Sequence, residues 1–151
     1  MIFAWKVQQN LLPLGSRLHQ RNAERRCLAD LEGDVICQET ETRDHVFISC
    51  LRVNETFESC KSIIREYLDR VVESKDILYL SFNHRNKHRL RGALWFAVKL
   101  MYLVYQNRMR NKSQLLRDIV KDIDWNLDLN RKIGSKKDLL HLKQIIVNQI
   151  E

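Results

Sequence analysis

Leu90, Leu94, Ala97, Met101, Val104 and Tyr105 repeat at intervals of three and four residues, with Trp95, Phe96, Val98, Leu100 and Leu103 between them. This pattern predicts a helix that is apolar nearly all round, as a helix at the centre of a bundle must be. Phe57, Cys60, Ile64, Tyr67, Leu68 and Val71 follow the same period and predict a helix over 54–73, with Asn54 as its cap because an amide side chain can accept from the first exposed N–H groups. Leu115, Leu116, Ile119, Val120, Ile123 and Leu127 form a third apolar stripe behind Ser113, which is read as its cap. Gly134-Ser135 then separates a last helix through Leu139, Leu142, Ile145 and Ile146.

The N-terminal third is patterned differently. Trp5, Leu11 and Leu12 suggest a short helix ended by Pro13 and Gly15, and Arg17 to Arg26 a second one. Asp30 to Asp44 is acidic and lacks periodic apolar residues, so it reads as a loop turning at Gly33. Ile77 to Phe82 is a short apolar run between polar ends and reads as an extended connector. The expected fold is mostly α: a small N-terminal module, residues 1–53, packed as one unit on a helical bundle formed by 54–151.

Composition agrees with that picture. The 151 residues include 44% hydrophobic and 30% charged side chains but only four Gly and one Pro, which argues against a disordered, collagen-like or turn-dense all-β chain. The length suits one domain and leaves no room for a multidomain enzyme. The apolar stretch Ala93 to Tyr105 is interrupted by Lys99. Its thirteen helical residues rise only about 20 Å against a hydrocarbon core of about 30 Å, which indicates burial rather than a membrane span. The opening Met-Ile-Phe-Ala-Trp has neither the basic flank nor the cleavage site of a secretory signal, so the expected location is intracellular.

The formal charge of +7 is unevenly placed. Residues 28–76 carry twelve acids and six bases, whereas 77–117 carry nine bases and no acid. A run of about forty residues without a carboxylate is the footprint of a phosphate-binding surface, and a solvated helix face is the alternative. Arg85, Lys87, Arg89 and Arg91 stand before or at the start of the central apolar helix, and Arg108, Arg110 and Lys112 just beyond its end. These seven are the candidate contacts to RNA or DNA, forming solvent-facing patches at the two helix ends. The competing expectation is that they pair with Asp118, Asp122, Asp124 and Asp128 on the next helix.

Four cysteines, Cys27, Cys37, Cys50 and Cys60, permit two disulfides in an oxidising compartment, but an intracellular chain favours metal binding or burial. Cys37, His45 and Cys50 form C-x7-H-x4-C, three ligands of the types zinc prefers in a tetrahedral structural site. Two candidates could supply the fourth. Asp34 stands three residues before Cys37, where a C-x2-C half-site has its first cysteine, and Cys27 stands ten residues before it. The alternative is that the cysteines are small core hydrophobes.

The segment Trp5-Lys6, Leu12-Pro13-Leu14, Arg17-Leu18-His19, followed by Cys37-Gln38-Glu39-Thr40-Glu41-Thr42-Arg43-Asp44-His45 and on to Cys50, resembles the reverse transcriptase zinc-binding domain of non-LTR (LINE-type) retrotransposon polyproteins. In that family a tryptophan and a Leu-Pro segment precede a C-x2-C pair, a glutamate-threonine stretch and an H-x4-C ending. The resemblance covers about residues 5–50, and the helix at Leu90-Arg91-Gly92-Ala93-Leu94-Trp95 with Asn107-Arg108 is similar to the helical tail behind that domain. It implies a zinc-knuckle-like module that helps a reverse transcriptase core grip RNA or DNA, in a nuclear or cytoplasmic ribonucleoprotein, from a truncated or detached copy of such an element. The departure is Asp34, which replaces the first cysteine of the pair. It implies the set Asp34, Cys37, His45, Cys50, or recruitment of Cys27, or a decayed site.

Enzymatic signatures are absent from the sequence. It has no Gly-rich phosphate loop, no Gly-x-Ser-x-Gly elbow and no paired polymerase aspartates. His84 and His88 are four residues apart, but Arg85 stands where a metalloprotease has its glutamate. The leading expectation is therefore a noncatalytic nucleic-acid-binding module, and the alternative is a metal-free helical protein-interaction domain.

Overall fold

The computed structural model describes residues 2–9, 12, 26–27, 30–31, 35–106, 109–128 and 135–150. In chain order these form α1 (Ile2–Gln8), β1 (Asp30–Leu31), β2 (Val35–Ile36), a π-helical turn (His45–Ser49), α2 (Leu51–Leu68), α3 (Ser74–Leu78), α4 (Lys87–Gln106), α5 (Lys112–Asp128) and α6 (Lys136–Ile150). The fold is mostly α, as the periodicity predicts. Pro13, Gly15, Arg17 to Arg25 and Gly33 lie outside the described residues, so the expected second short helix does too.

The central helix is α4, which packs against α2, α5, α6 and the π-helical turn. Ala93, Phe96, Ala97, Leu100, Met101 and Val104 are buried along it, and Leu90, Leu94, Trp95, Leu103 and Tyr105 are partly buried against the core. Lys99 interrupts the stripe without being stranded, because its ammonium reaches Asp122 on α5 at 2.7 Å. Among the described residues no helix is long and apolar enough to cross a membrane. One continuous buried set runs from Val7 through Cys27, Phe47 and Cys50 to Ile146, and position 53/54 falls inside α2.

Several boundaries differ from the sequence expectations. Asp30 to Asp44 is not simply a loop: Asp30 pairs with Ile36 and Leu31 with Val35 in an antiparallel hairpin, and Arg26 bridges to Thr40 beyond it. The helix expected over 54–73 spans Leu51–Leu68. Cys50 is its cap residue, and Asn54 lies inside it, donating from Nδ2 to the Ile48 carbonyl at 3.2 Å. Asp69, left-handed at φ 49°, ends the helix, with the Arg70 amide turning back to the Arg65 carbonyl at 3.1 Å. Ending there rotates the chain, so Val72 is buried while Val71, on the expected apolar face, is exposed.

The connector expected to be extended over Ile77 to Phe82 begins as α3. The Glu73 amide donates to Asp76 at 3.0 Å, a reciprocal cap that starts the short helix and buries Ile77 and Leu78. The cap of α5 is Asn111 rather than Ser113. Asn111 Oδ1 accepts from the Gln114 amide at 2.9 Å, and Gln114 Oε1 accepts from the Asn111 amide at 3.0 Å. Ser113 instead donates to the Ile150 carbonyl at 3.2 Å, tying α5 to the end of α6.

Candidate metal centre

The backbone around Cys27 sets the site. Its amide donates to the Glu39 carbonyl and its own carbonyl accepts from the Gln38 amide, both at 2.8 Å. Two residues thus face one, a bulge, and Gln38 occupies its left-handed position at φ 57°. A bulge turns side chains off the regular alternation of a strand, and here Cys27 and Cys37 end up side by side although ten residues separate them. Arg26 reinforces the pairing by donating to Thr40 Oγ1 at 2.9 Å.

The second half comes from the π-helical turn. Thr42 starts it: Oγ1 accepts from the His45 amide at 3.1 Å and the carbonyl accepts from the Val46 amide at 3.0 Å. It closes when the Cys50 amide donates to the His45 carbonyl, five residues back, at 2.9 Å. That bond brings the two ends of H-x4-C together. Val46 and Phe47 are buried beneath the turn and anchor it against α2 and α4.

Cys27, Cys37, His45 and Cys50 converge so that one ligand atom of each lies within 4.8 Å of all the others. The Cys27 and Cys50 sulfurs are 3.8 Å apart and Cys37 Sγ is 3.4 Å from His45 Nε2. Zinc sits about 2.3 Å from sulfur and about 2.0 Å from imidazole nitrogen, so tetrahedral ligands lie about 3.8 Å apart for two sulfurs and about 3.5 Å for sulfur and nitrogen. Both separations match, and the sulfur pair is far beyond a disulfide bond of about 2.05 Å; all four cysteines are free thiols. The cluster is compatible with a Cys3His zinc site.

Burial pushes the Cys50 thiol up to about 11, the neighbouring Cys27 and Cys37 sulfurs adding to the shift against a lowering by the Arg52 backbone amide. A bound divalent cation would reverse that shift at Cys50 by favouring its thiolate. Cys60 is buried apart from the cluster, and burial alone raises its thiol strongly. It is a core residue of α2.

Of the expected ligands, Cys37, His45 and Cys50 come together, and Cys27 completes the set of four. Asp34, favoured from its C-x2-C position, lies outside the described residues. The signal for Cys27 was its place ten residues before Cys37 in the same polar stretch. What spacing could not supply was the cross-strand pairing that erases the ten-residue gap.

The seven basic candidates fall into two groups. Arg85, Lys87 and Arg91 are exposed, and among the described residues none of them has a carboxylate partner. Arg89 is half-buried between Asp138, 3.4 Å from its Nε, and the Tyr67 ring, 5.9 Å away. At the other end, Arg110 pairs with Asp118 and Lys112 with Glu55 at 3.4 Å, while Arg108 lies outside the described residues. Among the described residues, Arg110 with Asp118 is the one pairing of those anticipated on the next helix; Asp122 and Asp124 are taken by Lys99 and Lys143.

Neither a scan of family models nor searches of curated proteins and of solved structures find a match to this chain.

Proposed function

We propose that this chain is a noncatalytic nucleic-acid-binding module whose N-terminal region is ordered by one zinc ion held by Cys27, Cys37, His45 and Cys50. The observation that carries the reading is the convergence of these four side chains, one ligand atom of each within 4.8 Å of the others, from two separate pieces of backbone. Chance burial of cysteines does not call for a histidine nitrogen at the same point. Zinc supplies folding energy to small polar segments that lack a core of their own, and the hairpin is such a segment.

The resemblance to the retrotransposon domain supports the same assignment, with Cys27 taking the place of the missing first cysteine of the C-x2-C pair. On this reading the module steadies RNA or DNA for a reverse transcriptase core. The bases from Arg85 to Lys112, within the acid-free run, supply the charge.

The test is metal analysis and oligonucleotide binding on the same reduced preparation. The expected result is close to one zinc per chain, lost in Cys37→Ser, with affinity for an oligonucleotide that falls steeply with salt. A metal-free folded protein would refute the zinc assignment. Binding that is absent at low salt, or unchanged as salt rises, would refute the nucleic-acid assignment.

A further inference from the structure

The charge freed at the start of α4 does not lie on a flat face. A cleft of about 580 Å³ opens there, floored by Leu68 and lined by Asp69, Arg70, His84, Arg85 and Arg89. It falls within the range of about 300–1,000 Å³ usual for small-molecule sites, with room for one nucleotide unit. Three guanidinium groups face one carboxylate, and they come from three parts of the chain: the end of α2, the segment before α4, and the first turn of α4.

Two of the three arginines are already held. Arg70 Nη1 donates to the Asn83 carbonyl at 2.6 Å. Arg89 Nη1 donates to the Tyr67 carbonyl at 3.3 Å while its Nε donates to Asp138 at 3.4 Å. A guanidinium has five N–H donors, so these bonds fix the side chains and still leave donors over. A fixed planar fork loses less entropy on meeting an oxyanion than a mobile one. Arg85 is exposed and has no carboxylate partner among the described residues.

The other groups refine the chemistry. His84 Nδ1 accepts from the Asn86 amide at 3.0 Å, so the neutral ring carries its proton on Nε2 as a further donor. The first amides of α4 are already capped, since Asn86 Oδ1 accepts from the His88 and Arg89 amides at 3.1 and 3.3 Å. The helix therefore contributes only its positive field, and the ligand contacts fall to side chains. Lys87 donates to Asn83 Oδ1 at 3.4 Å, and it and Arg91 stand two residues either side of Arg89, so they face away from it on α4.

A concave site with several forked donors suits a tetrahedral oxyanion such as a phosphate. We infer that the cleft between Arg70, Arg85 and Arg89 seats one phosphate of a nucleic-acid strand. The inference rests on the nucleic-acid reading above and names where on the chain that contact is made. The phosphate is either a strand's 5′-terminal group or an internal diester, and both present the same oxygens to the cleft.

The experiment uses the full chain, zinc-loaded and reduced, with fluorescent single-stranded oligonucleotides carrying a 5′-phosphate or a 5′-hydroxyl, titrated at several salt concentrations. Arg85→Ala is the test variant, because Arg85 is exposed and has no carboxylate partner among the described residues, and Arg117→Ala removes the same charge from an exposed position on α5. One single-strand contact carries a salt slope of about −0.7, equivalent to about eightfold in affinity at about 50 mM salt against a 1 M reference. Arg85→Ala should lose about that factor and flatten the slope by about 0.7, with little effect from Arg117→Ala. A 5′-phosphate that strengthens binding only while Arg85 is present identifies the terminal group as ligand, whereas equal affinity for both oligonucleotides identifies an internal diester. Equal small effects of Arg85→Ala and Arg117→Ala on a chain that binds would overturn the cleft and leave the nucleic-acid reading standing. No binding by the unmodified chain would overturn both.

Discussion

A tight contact between α2 and α4 gives a sharp test of the packing. Gly92 on α4 meets Tyr67 on α2, and a Cβ at Gly92 would lie 2.9 Å from the Tyr67 hydroxyl oxygen, 3.4 Å from Cε1 and 3.5 Å from Cζ. The oxygen contact is too short, and Tyr67 cannot swing clear: it is fully buried, with the Arg89 guanidinium over its ring and the His141 ring 5.9 Å away. Its hydroxyl has no hydrogen-bond partner among the described residues, and burial first, then the charge of Asp138, raises its pKa despite Arg89.

Replacing glycine by alanine within a helix gains about 0.5–1 kcal/mol from backbone entropy, whereas overpacking a rigid core costs about 1–3 kcal/mol. Gly92→Ala should therefore destabilise the protein by about 1–2 kcal/mol. Tyr67→Phe removes a buried hydroxyl that bonds to nothing, so it should stabilise by about 1 kcal/mol. In the double variant the remaining ring contacts are ordinary ones, and alanine should express its helix preference. The double variant is then more stable than the parent, with a coupling of about 2 kcal/mol between the sites. Urea unfolding of the zinc-loaded chain and its three variants measures this, provided the slope of each transition is unchanged. If Gly92→Ala has the same effect in both backgrounds, the α2–α4 contact described here is wrong.

Three further outcomes follow from the site and its surroundings. Asp34→Ala should leave zinc content unchanged while Cys27→Ser lowers it, and the reverse result by metal analysis would return the fourth ligand to the C-x2-C position. Gln38→Gly should stabilise the chain by about 0.5–1 kcal/mol, because glycine adopts the left-handed conformation of the bulge without the penalty a side chain carries; a drop in melting temperature would refute the assigned backbone. In the metal-free reduced chain, the folded-state pKa values of Cys50, Cys60 and Tyr67 are all raised, so the folded form holds these protons more tightly than the unfolded one. Their contribution is complete below the ordinary thiol range near 9.0 and is lost as pH rises through the folded values, for Cys50 toward about 11, at up to about 1.4 kcal/mol per pH unit per group. A flat urea midpoint from pH about 8 to about 11 would contradict the burial of all three.

What could be read from the sequence, and what could not, divides along the range of the interactions. The four long helices were legible because burying one face leaves a period of three and four residues that local sequence cannot hide, and α4 revealed its central place by being apolar nearly all round. Their ends were less legible. Cys50, Asp69 and Asn111 stop or start helices through backbone geometry and reciprocal caps, for which Asn54 and Ser113 were equally plausible by residue type. The metal cluster was legible as C-x7-H-x4-C because a short spacing nearly determines a short distance. Cys27 was legible only as one of two candidates for the fourth ligand, since its place depends on hairpin pairing and a left-handed Gln38, neither of which has a compositional mark.

The same two pieces of backbone explain why the cluster and the bundle are not separable parts. Cys50 belongs to both: its sulfur joins the candidate ligands while its backbone caps α2, whose far end supplies Tyr67 to the core and Asp69 and Arg70 to the cleft beside α4. A zinc ion on the four ligands would join the hairpin to the first residue of that helix and remove the freedom of the chain between Cys27 and Cys50, which is where the stabilisation should be largest. The effect on the cleft should be small, because α2 packs against both α4 and α6. Removing zinc should then melt protection of the amides around Cys27, Cys37 and His45 in hydrogen exchange while leaving those of α4 and α6 slow. Uniform loss of protection across α2, α4 and α6 would show instead that the bundle depends on the metal, and that its own apolar core is insufficient.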